Sequence, residues 1–600
     1  MKHPLLLALR ALTATAAVTV PLSERATSIT TYDYIVVGGG TCGLVVANRL
    51  SENSNVSVLV IEAGGSVYNN TGVSDTDGYG STLKTSIDWQ YKTAAQKYAG
   101  NSVATLSAGK GIGGTSTING MSYTRAQAAQ IDAWETLGNA DWNWKNLWPY
   151  YLKSESYEVP DSQQASGGAT YKSSFHGFSG PLKVGYSHEQ AVTEVPGTLN
   201  STYQNVGVPF SPDVNGGNMR GFNVYPKTVD TAKDVRDDAA RAYYWPYTSR
   251  TNLHMMANTS ANRVLWKASN DANGNAVASG VEVTTADGKT QVLNATKEIV
   301  FSAGTLKTPL LLELSGVGNP KILSQHGIST KVNLPGVGEN LVDQTNNGFS
   351  WAGVGGASYT GETGYVAYPN VSDIFGTSAA SFSTAVYNNL STYAASVAAQ
   401  NNNASSASSL LSFFTLQHSL IFTSKVPIAE IIYWTSGSGF GSQYWSTLPF
   451  ARGNIHITSS NPAAAATINP NYFMLDYDLQ SQIGIARFGR KVASTAPFNS
   501  IAGTETWPGT ESVPASGNDA AWTKWLKANW HPNYHVLSTA IMLPRKDGGV
   551  VSERLKVYGT ANVRVVDASV LPFQVCGHLM STLYAVAERA SDLIKADGGI

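Results

Sequence analysis

The chain has 600 residues, of which 42% are hydrophobic and only 14% are charged, and its 40 Lys+Arg nearly balance its 41 Asp+Glu. This length predicts about two to four compact units, and the 14 Trp, 29 Tyr and 17 Phe exclude a disordered protein. The balanced charge excludes a basic face for nucleic acid, and two cysteines, Cys42 and Cys576, cannot make a disulfide framework.

The amino terminus resembles a secretory signal. Lys2 and His3 precede the apolar residues 5–9 and an Ala/Thr/Val-rich stretch that reaches Val20, with Arg10 as an interruption. This pattern predicts a signal peptide over residues 1–25, and the alternative is a leader without a targeting role. The chain has no apolar run of about 18 residues, so no membrane span is predicted. A secreted or cell-wall protein is favoured by the Asn-x-Ser/Thr sites at Asn69, Asn200, Asn258, Asn294, Asn370, Asn389 and Asn403; a further site at Asn55 is not counted, because it lies between two elements of a predicted buried unit.

A strand, a glycine turn and a helix are predicted in immediate succession after the leader. The apolar run 34–37 ends at a turn that contains Gly38, Gly40 and Gly43, and residues 44–50 have the pattern of a helix. Gly38 permits the tight turn, Gly40 lets the backbone approach a pyrophosphate, and Gly43 allows close packing of helix on strand. Cys42, inside the turn, is interpreted as a small buried side chain.

A second predicted strand, residues 56–61, ends at Glu62. An acidic residue about 20 positions after the glycines accepts hydrogen bonds from the adenosine ribose and disfavours a 2′-phosphate. The whole unit therefore predicts a dinucleotide-binding fold, and NAD and FAD both remain open at this point.

Two further segments carry ligand-binding features. Residues 109–120 are rich in glycine, which indicates backbone placed against a second ligand surface. Residues 302–318 follow the buried strand 299–301 and continue as a helix with Pro309 in its first turn. A hairpin is predicted at Asp287-Gly288, and the low-complexity segment 394–409 is interpreted as an exposed loop or helix end.

The segments 109–120 and 302–318 resemble the paired signatures of the glucose-methanol-choline (GMC) family of FAD-dependent oxidoreductases. The likeness runs from about Thr31 to the carboxyl terminus and is closest to fungal FAD-dependent glucose dehydrogenases, with glucose oxidases next. It implies FAD and an α/β fold (α+β overall), with a discontinuous Rossmann-like FAD-binding domain at 30–125, 225–345 and 555–598. It also implies a substrate-binding domain at 126–224 and 346–554, built on an antiparallel sheet backed by helices.

Several cofactor contacts are expected. To Gly38, Gly40, Gly43 and Glu62 the resemblance adds Thr41, Cys42, Gly113, Thr115, Asn119, Gly120, Ser122, Val264 and Asp567.

Three histidines lie near the carboxyl terminus: His531, His535 and His578. Pro532 disfavours a helix from His531, and no Glu follows that histidine, so a metal pair at His531 and His535 is rejected and no metal is expected. His578 is predicted to stand at a helix amino terminus, where unpaired N–H groups stabilise negative charge. The resemblance places His535 and His578 over the flavin as the catalytic residues.

A general base is needed because hydride loss from an alcohol carbon becomes feasible when the hydroxyl proton is removed. A neutral imidazole, with a pKa near 6.5, suits that task. His535 is the candidate base, and His578 is expected to hydrogen-bond the same oxygen.

The predicted substrate-binding residues match those of the glucose dehydrogenases only in part. Tyr79, Glu430 and Asn533 match sugar-contacting positions of the glucose dehydrogenases, whereas His531 replaces an Arg that hydrogen-bonds sugar hydroxyls in glucose-oxidising relatives. Arg offers five donors in a fixed fork, and a neutral His offers one donor and one acceptor. Ser538 replaces a usual Gly and is expected to crowd the flavin or to re-aim His535.

The first hypothesis is oxidation of glucose or a similar aldose at the anomeric carbon, with a quinone-type acceptor and oxidase activity not excluded. The alternatives are a secondary-metabolite alcohol or hemiacetal oxidoreductase similar to patulin synthase, a non-redox cyclase with structural FAD similar to versicolorin B synthase, and an inactive sugar-binding protein. Retention of His535 and His578 speaks against the cyclase.

Overall fold

The computed structural model describes residues 30–187, 193–356, 359, 364–437 and 439–600, so the predicted signal peptide lies outside the described residues. The strands of the first half are β1 (Thr31–Val37), β2 (Val58–Ile61), β3 (Tyr91–Lys92), β4 (Thr105–Leu106), β5 (Glu155–Tyr157), β6 (Leu182–Val184), β7 (Gly221–Val224), β8 (Val229–Asp230), β9 (Val235–Arg236), β10 (Leu253–Met256), β11 (Ser260–Trp266), β12 (Ala278–Thr284) and β13 (Thr290–Phe301). Those of the second half are β14 (Val317–Gly318), β15 (Val332–Asn333), β16 (Glu339–Leu341), β17 (Thr345–Gly353), β18 (Tyr365–Tyr368), β19 (Ala429–Ser436), β20 (Gly439–Ser446), β21 (Gly453–His456), β22 (Thr467–Asn469), β23 (Ala502–Trp507), β24 (His531–Pro532) and β25 (Val563–Val565).

The α-helices alternate with these strands along the chain. They are α1 (Thr41–Leu50), α2 (Thr71–Ser74), α3 (Ala128–Thr136), α4 (Trp144–Ser154), α5 (Ser162–Ser166), α6 (Val195–Asn205), α7 (Ala239–Tyr243), α8 (Thr308–Leu314), α9 (Pro320–Gln325), α10 (Val371–Phe375), α11 (Ala379–Ala398), α12 (Ala407–Phe422), α13 (Asp476–Ala493), α14 (Asp519–Asn529) and α15 (Leu579–Gly598). In the described part of the chain, no helix is both long enough and apolar enough to cross a bilayer.

A seven-stranded sheet forms the dinucleotide-binding unit. Its order is β10-β2-β1-β13-β12-β11, with β25 beside β13. β1 is parallel to β2 and β13, and β13 is parallel to β25. The carboxyl ends of β1, β13 and β25 therefore meet at one edge, where Gly38, Ser302 and Asp567 follow.

The sequence signals in this unit are confirmed. β1 is apolar and buried, as expected of a central parallel strand covered on both faces. The Asp287-Gly288 turn connects β12 to β13, which pair antiparallel from Thr284 and Thr290. α1 packs against α15, and His578 lies at the N-cap position of α15, the predicted helix amino terminus.

A second seven-stranded sheet is wholly antiparallel. Its order is β23-β17-β20-β19-β18-β7, with β24 paired to β17, and α13 packs against β20. This is the predicted antiparallel sheet backed by helices, so the fold class is confirmed. The segment 394–409 contains the end of α11 at Ala398, the connection 399–406 and the start of α12 at Ala407, so it is a helix end and a loop between two helices, as predicted.

Candidate active site

A cavity of about 1540 Å³ connects the edge of the first sheet to the second sheet. Its lining includes Gly38 and Glu62 after the first two strands, and His535 and His578 beside the antiparallel sheet. Because one continuous space reaches both groups, a long ligand can contact the glycine turn and the histidines together.

The glycine turn brings backbone segments closer than any side chain would allow. Gly38 has φ +109°, and a Cβ there would lie 2.3 Å from the carbonyl oxygen of Ser302. A Cβ on Gly43 would lie 2.0 Å from the Gly38 oxygen, and one on Gly114 would lie 2.6 Å from the Gly40 Cα. Gly38 and Gly43 thus make the tight turn and the close helix packing that the sequence predicted, and the bare backbone leaves room for a pyrophosphate.

Two carboxylates lie beside this turn. Glu62 accepts hydrogen bonds from the N–H groups of Gly39 (2.9 Å) and Gly64 (2.8 Å), and burial raises the pKa of its carboxyl to about 7. Asp567 accepts from the Gly304 N–H (2.9 Å) and the Thr308 hydroxyl (2.6 Å), which ties the segment after β13 to the end of β25. Burial raises the pKa of Asp567 above its usual range, against the effect of these hydrogen bonds.

Most of the predicted cofactor residues face the cavity. Those that line it are Gly38, Gly40, Thr41, Cys42, Glu62, Thr115, Asn119, Gly120, Ser122 and Asp567. Burial raises the pKa of the Cys42 thiol well above its usual value, so Cys42 is a neutral buried side chain.

The three remaining cofactor predictions have other contacts. Gly43 packs α1 against the turn, and Gly113 donates its N–H to the Gly39 oxygen at 2.8 Å. Val264 is buried in β11 and donates its N–H to Ser315 Oγ at 2.8 Å, whereas residues 259–262 of the same segment line the cavity.

His535 and His578 face each other in this cavity. Their ring centroids are 5.2 Å apart with an interplanar angle of 88°. The Trp445 ring meets both edge to face, at 6.1 Å and 5.9 Å. Two imidazoles and an indole therefore surround one small volume in which a hydroxyl can contact both histidines.

His535 is held from several sides. Its backbone N–H donates to Asp343 Oδ1 (2.9 Å), and its Nδ1 lies 2.9 Å from both Gln344 Oε1 and Asn533 Nδ2. Burial, together with the nearby His578, lowers the pKa of His535 well below its usual value. The imidazole is therefore neutral at ordinary pH and can accept a proton.

His578 is anchored by its backbone N–H, which donates to Thr124 Oγ1 at 2.9 Å. Its Nε2 lies 3.0 Å from Glu430 Oε1, although not at a hydrogen-bonding angle, and the Tyr368 hydroxyl donates to the same oxygen at 2.9 Å. Glu430 is fully buried, and its second oxygen, Oε2, has no hydrogen-bond partner.

Tyr79, His531 and Asn533 line the cavity. Asn533 has both amide atoms engaged, since its Oδ1 accepts from Asn346 Nδ2 at 2.8 Å and its Nδ2 faces Gln344 and His535. His531 Nδ1 lies 3.0 Å from the Pro532 oxygen, and burial lowers the pKa of His531. The Tyr79 ring lies against Gly120 and is half exposed.

Ser538 has φ +75°, in the left-handed region where Gly is favoured. Its hydroxyl donates to the Leu571 oxygen at 2.6 Å, so the buried side chain is turned toward the backbone of the 571–572 segment. This hydrogen bond offsets the cost of a side chain in that conformation.

Three residues that support the site are not among the sequence predictions: Arg236, Asp343 and Gln344. Asp343 and Gln344 contact His535 across sequence separations of 192 and 191 residues.

Arg236 is buried and donates to the carbonyl oxygens of Val73 (2.7 Å) and Asn119 (2.8 Å), which fixes the loop that lines the cavity. Burial lowers the pKa of this guanidinium to about 10. The only local signal for Arg236 was the acidic run Asp237-Asp238 beside it.

Comparisons with known proteins identify the family. The amino-terminal model of GMC oxidoreductases matches residues 32–346 and the carboxyl-terminal model matches residues 449–587. The chain is 43% identical to the glucose oxidase-like protein fsoC of Humicola fuscoatra, over 95% of this chain and 97% of that protein. It is 32% identical to the glucose oxidase of Aspergillus carbonarius, over 94% of this chain and 92% of that protein.

Solved structures of FAD-dependent oxidoreductases have the same fold as this chain. An FAD-dependent oxidoreductase from Chaetomium thermophilum superposes with a TM-score of 0.84 at 27% identity, covering 95% of this chain and all (100%) of that one. A fungal aryl-alcohol oxidase has the same fold, with a TM-score of 0.83 at 24% identity, over 95% of this chain and 100% of that one.

The family is FAD-dependent, and the residues present fit that cofactor, since the side-chain-free turn at Gly38, Gly40 and Gly114 and the acceptor Glu62 are where a dinucleotide requires them. The chain belongs to the GMC oxidoreductase family, and its cofactor is FAD.

Proposed function

We propose that this protein oxidises the CH–OH group of a small alcohol, with His535 as the general base. The observation that carries the proposal is the pair of facing imidazoles, 5.2 Å apart, in the cavity shared with the glycine turn. Bound FAD supplies the two-electron acceptor for the hydride that leaves the substrate carbon.

Side chains of this protein accept the hydroxyl proton of the substrate. The substrate O–H bond breaks, its proton passes to Nε2 of His535, and the electron pair left on oxygen forms the C=O bond as the hydride departs. His578 lies where it can hydrogen-bond the same oxygen, and its place at the start of α15 adds the partial positive potential of a helix amino terminus.

The substrate class follows from the groups left available in the cavity. Ile432, Trp434 and Trp445 contribute apolar or aromatic lining. Of the positions predicted to contact sugar, Asn533 has both amide atoms bonded to protein partners. Glu430 is fully buried and is not among the residues that line the cavity; its Oε1 accepts from Tyr368, and its Oε2 has no hydrogen-bond partner. We infer that an alcohol on an apolar or aromatic skeleton fits this site best, and that a quinone-type compound accepts the electrons.

Aldose oxidation is the second candidate. It is favoured by the half-exposed Tyr79 in the cavity lining and by the identity to glucose oxidase-like relatives. In that case glucose or xylose would be oxidised at the anomeric carbon to a lactone.

The test is anaerobic reduction of the purified FAD enzyme by 4-methoxybenzyl alcohol, D-glucose and D-xylose, followed as bleaching of the flavin spectrum. Faster bleaching by the aromatic alcohol supports our first substrate class, and bleaching by the aldoses alone would reverse the order. Reoxidation by 1,4-benzoquinone and by oxygen, compared in the same cell, tests the acceptor.

His535→Ala tests the base. We expect the variant to retain FAD and to lose the reduction rate by about 10²- to 10⁴-fold, because a positioned base contributes that much. His326→Ala, which changes a half-exposed histidine at the end of α9, is the matched control. An unchanged rate in the His535 variant would remove the base from the mechanism.

A further inference from the structure

The Nδ1 atom of His535 has two neighbours that favour opposite tautomers. Gln344 Oε1 and Asn533 Nδ2 each lie 2.9 Å from it. An amide oxygen only accepts a hydrogen bond, so it favours a proton on Nδ1, whereas an amide NH₂ only donates and favours a lone pair there. A base that uses Nε2 requires the proton on Nδ1.

The orientation of Gln344 is fixed by the main chain. Its Nε2 donates to the carbonyl oxygen of Thr447 at 3.3 Å, and a carbonyl cannot donate in return. Gln344 is buried, so its Oε1 is turned to His535 with no competing solvent. Asn533 Nδ2 also donates to this oxygen at 2.9 Å, which gives the Asn533 amide an acceptor other than the histidine.

The two neighbours are unequal whenever Nδ1 carries a proton, both before and after proton transfer to Nε2. When Nε2 takes the substrate proton, the imidazolium carries N–H groups on both nitrogens, and of the two neighbours of Nδ1 only Gln344 can accept from it. Asn533 presents a donor to this donor in the neutral Nδ1–H tautomer and in the imidazolium alike. Gln344 therefore stabilises both the reactive neutral tautomer and the protonated product of the step.

We propose that Gln344 is a positioning residue that holds the proton of His535 on Nδ1 and leaves Nε2 as the base. The inference rests on the proposed function, since it requires His535 to be the base.

Other titratable groups face His535 and must be separated from this effect. His578 lies across the cavity with its ring 5.2 Å away, and Asp343 accepts from the His535 backbone N–H. Burial raises the pKa of Asp343 to about 6, and Tyr472 donates to its other oxygen at 2.6 Å. Tyr534 precedes His535 in the chain. These groups are unchanged in variants of Gln344, so their contributions cancel when profiles are compared.

Two substitutions test the proposal by rate. Gln344→Met removes the acceptor at similar size, and we expect kcat to fall about 10- to 100-fold while KM and FAD content stay the same. Gln344→Glu keeps an acceptor and adds negative charge, so the acid limb of the kcat/KM profile should move to higher pH by about one unit or more. The probe is whichever of 4-methoxybenzyl alcohol and D-glucose reduces the wild type.

The matched control is Gln417→Met. Gln417 is as buried as Gln344, and its amide donates to the Leu448 and Pro449 oxygens at 3.0 Å, away from the histidines. This variant loses buried hydrogen bonds of the same kind, so it should lower the melting temperature without moving the pH profile.

A substrate-free measurement decides the outcome directly. In ¹⁵N-histidine-labelled FAD enzyme, the His535 signal, assigned by its loss in His535→Ala, should show a protonated Nδ1 and an unprotonated Nε2. Gln344→Met should move it toward the opposite tautomer, because Asn533 is then the remaining neighbour of Nδ1. A protonated Nε2 in the neutral wild type, or an unchanged signal and pH profile in Gln344→Met, would overturn the role of Gln344. If His535→Ala itself kept full activity, the proposed function would fail instead.

Discussion

His531 is the cavity residue whose substitution we expect to change substrate preference most. It lies in β24, paired with β17, and its half-buried ring lines the cavity. A neutral imidazole offers one donor and one acceptor, whereas a guanidinium offers five donors in a planar fork suited to neighbouring hydroxyls. We therefore expect the present side chain to favour substrates with few hydroxyl groups.

His531→Arg should raise kcat/KM for D-glucose about 10- to 100-fold, the effect of one or two charge-assisted hydrogen bonds. The kcat/KM for 4-methoxybenzyl alcohol should fall, because a charge is introduced beside the apolar lining. Steady-state kinetics with both substrates check this. His531→Gln, which adds hydrogen-bonding groups without the fork, serves as the control and should give little gain; equal gains in both variants would contradict the argument.

The predictability of the site also differs residue by residue. Gly38, Gly43 and Glu62 could be placed because strand, turn and helix follow each other locally, and their spacing alone fixes their geometry. The partners of His535 could not, since Gln344 reaches it across a separation of 191 residues and no local pattern records that contact. Likewise, the hydrogen bond from the Ser538 hydroxyl to Leu571 depends on tertiary packing.

At the scale of elements, one histidine clamps three segments together. His456, at the end of β21, bridges Glu313 of α8 (2.7 Å) and Glu339 of β16 (2.9 Å). The next residue, Ile457, donates its N–H to Glu313 at 2.9 Å. The chain then continues into residues 461–466, which line the cavity. The clamp therefore ties a wall of the cofactor cavity to the helix that follows β13.

Burial alone would lower the pKa of His456, but the two carboxylates outweigh it and raise the pKa to about 10. Because this exceeds the unfolded value of about 6.5, the stabilisation is fully present below pH about 6.5 and is lost as pH rises toward about 10. We expect the wild-type melting temperature to fall across that window.

His456→Gln should cost roughly 3 kcal/mol or more, because two buried carboxylates lose their cation. Its melting temperature should be lower at pH 6.5 and should depend less on pH between 6.5 and 10. Thermal melts followed by flavin fluorescence report unfolding and cofactor release together, with His326→Gln as the control. A parallel pH dependence in the wild type and His456→Gln would show that other groups govern this range.

Element types were more predictable than element ends. The hairpin at Asp287-Gly288 and the helix after His578 follow from local residue types, and both are present. The extent of α11, which continues to Ala398 through a segment of Ser, Ala and Asn, is set by packing: Tyr393, Ala394 and Val397 are buried on one face. Residue composition alone does not contain that tertiary contact.

At the scale of the whole molecule, exposure sorts the eight Asn-x-Ser/Thr sites. Asn370 is buried and Asn200 is half-buried, whereas the other six are exposed: Asn55, Asn69, Asn258, Asn294, Asn389 and Asn403. The Asn370 side chain caps α10 by accepting from the N–H groups of Ser372 (2.9 Å) and Asp373 (3.1 Å). A glycan requires a free amide in solvent, so the fold is compatible with modification at the exposed sites and opposes it at Asn370.

We propose that the chain is secreted through the signal peptide predicted at residues 1–25, and that it then carries glycans at exposed sites, among them Asn69, Asn389 and Asn403, but not at Asn370. The check is expression in a secreting fungal host, amidase release of glycans in ¹⁸O-water and peptide mass spectrometry of the secreted protein. Asn389→Gln should remove one glycan without altering activity, because Asn389 lies on the outer face of α11.

Asn370→Gln should instead lower stability by about 1 kcal/mol through loss of the helix cap. A glycan at Asn370, or retention of the full-length chain inside the cell, would contradict the proposal.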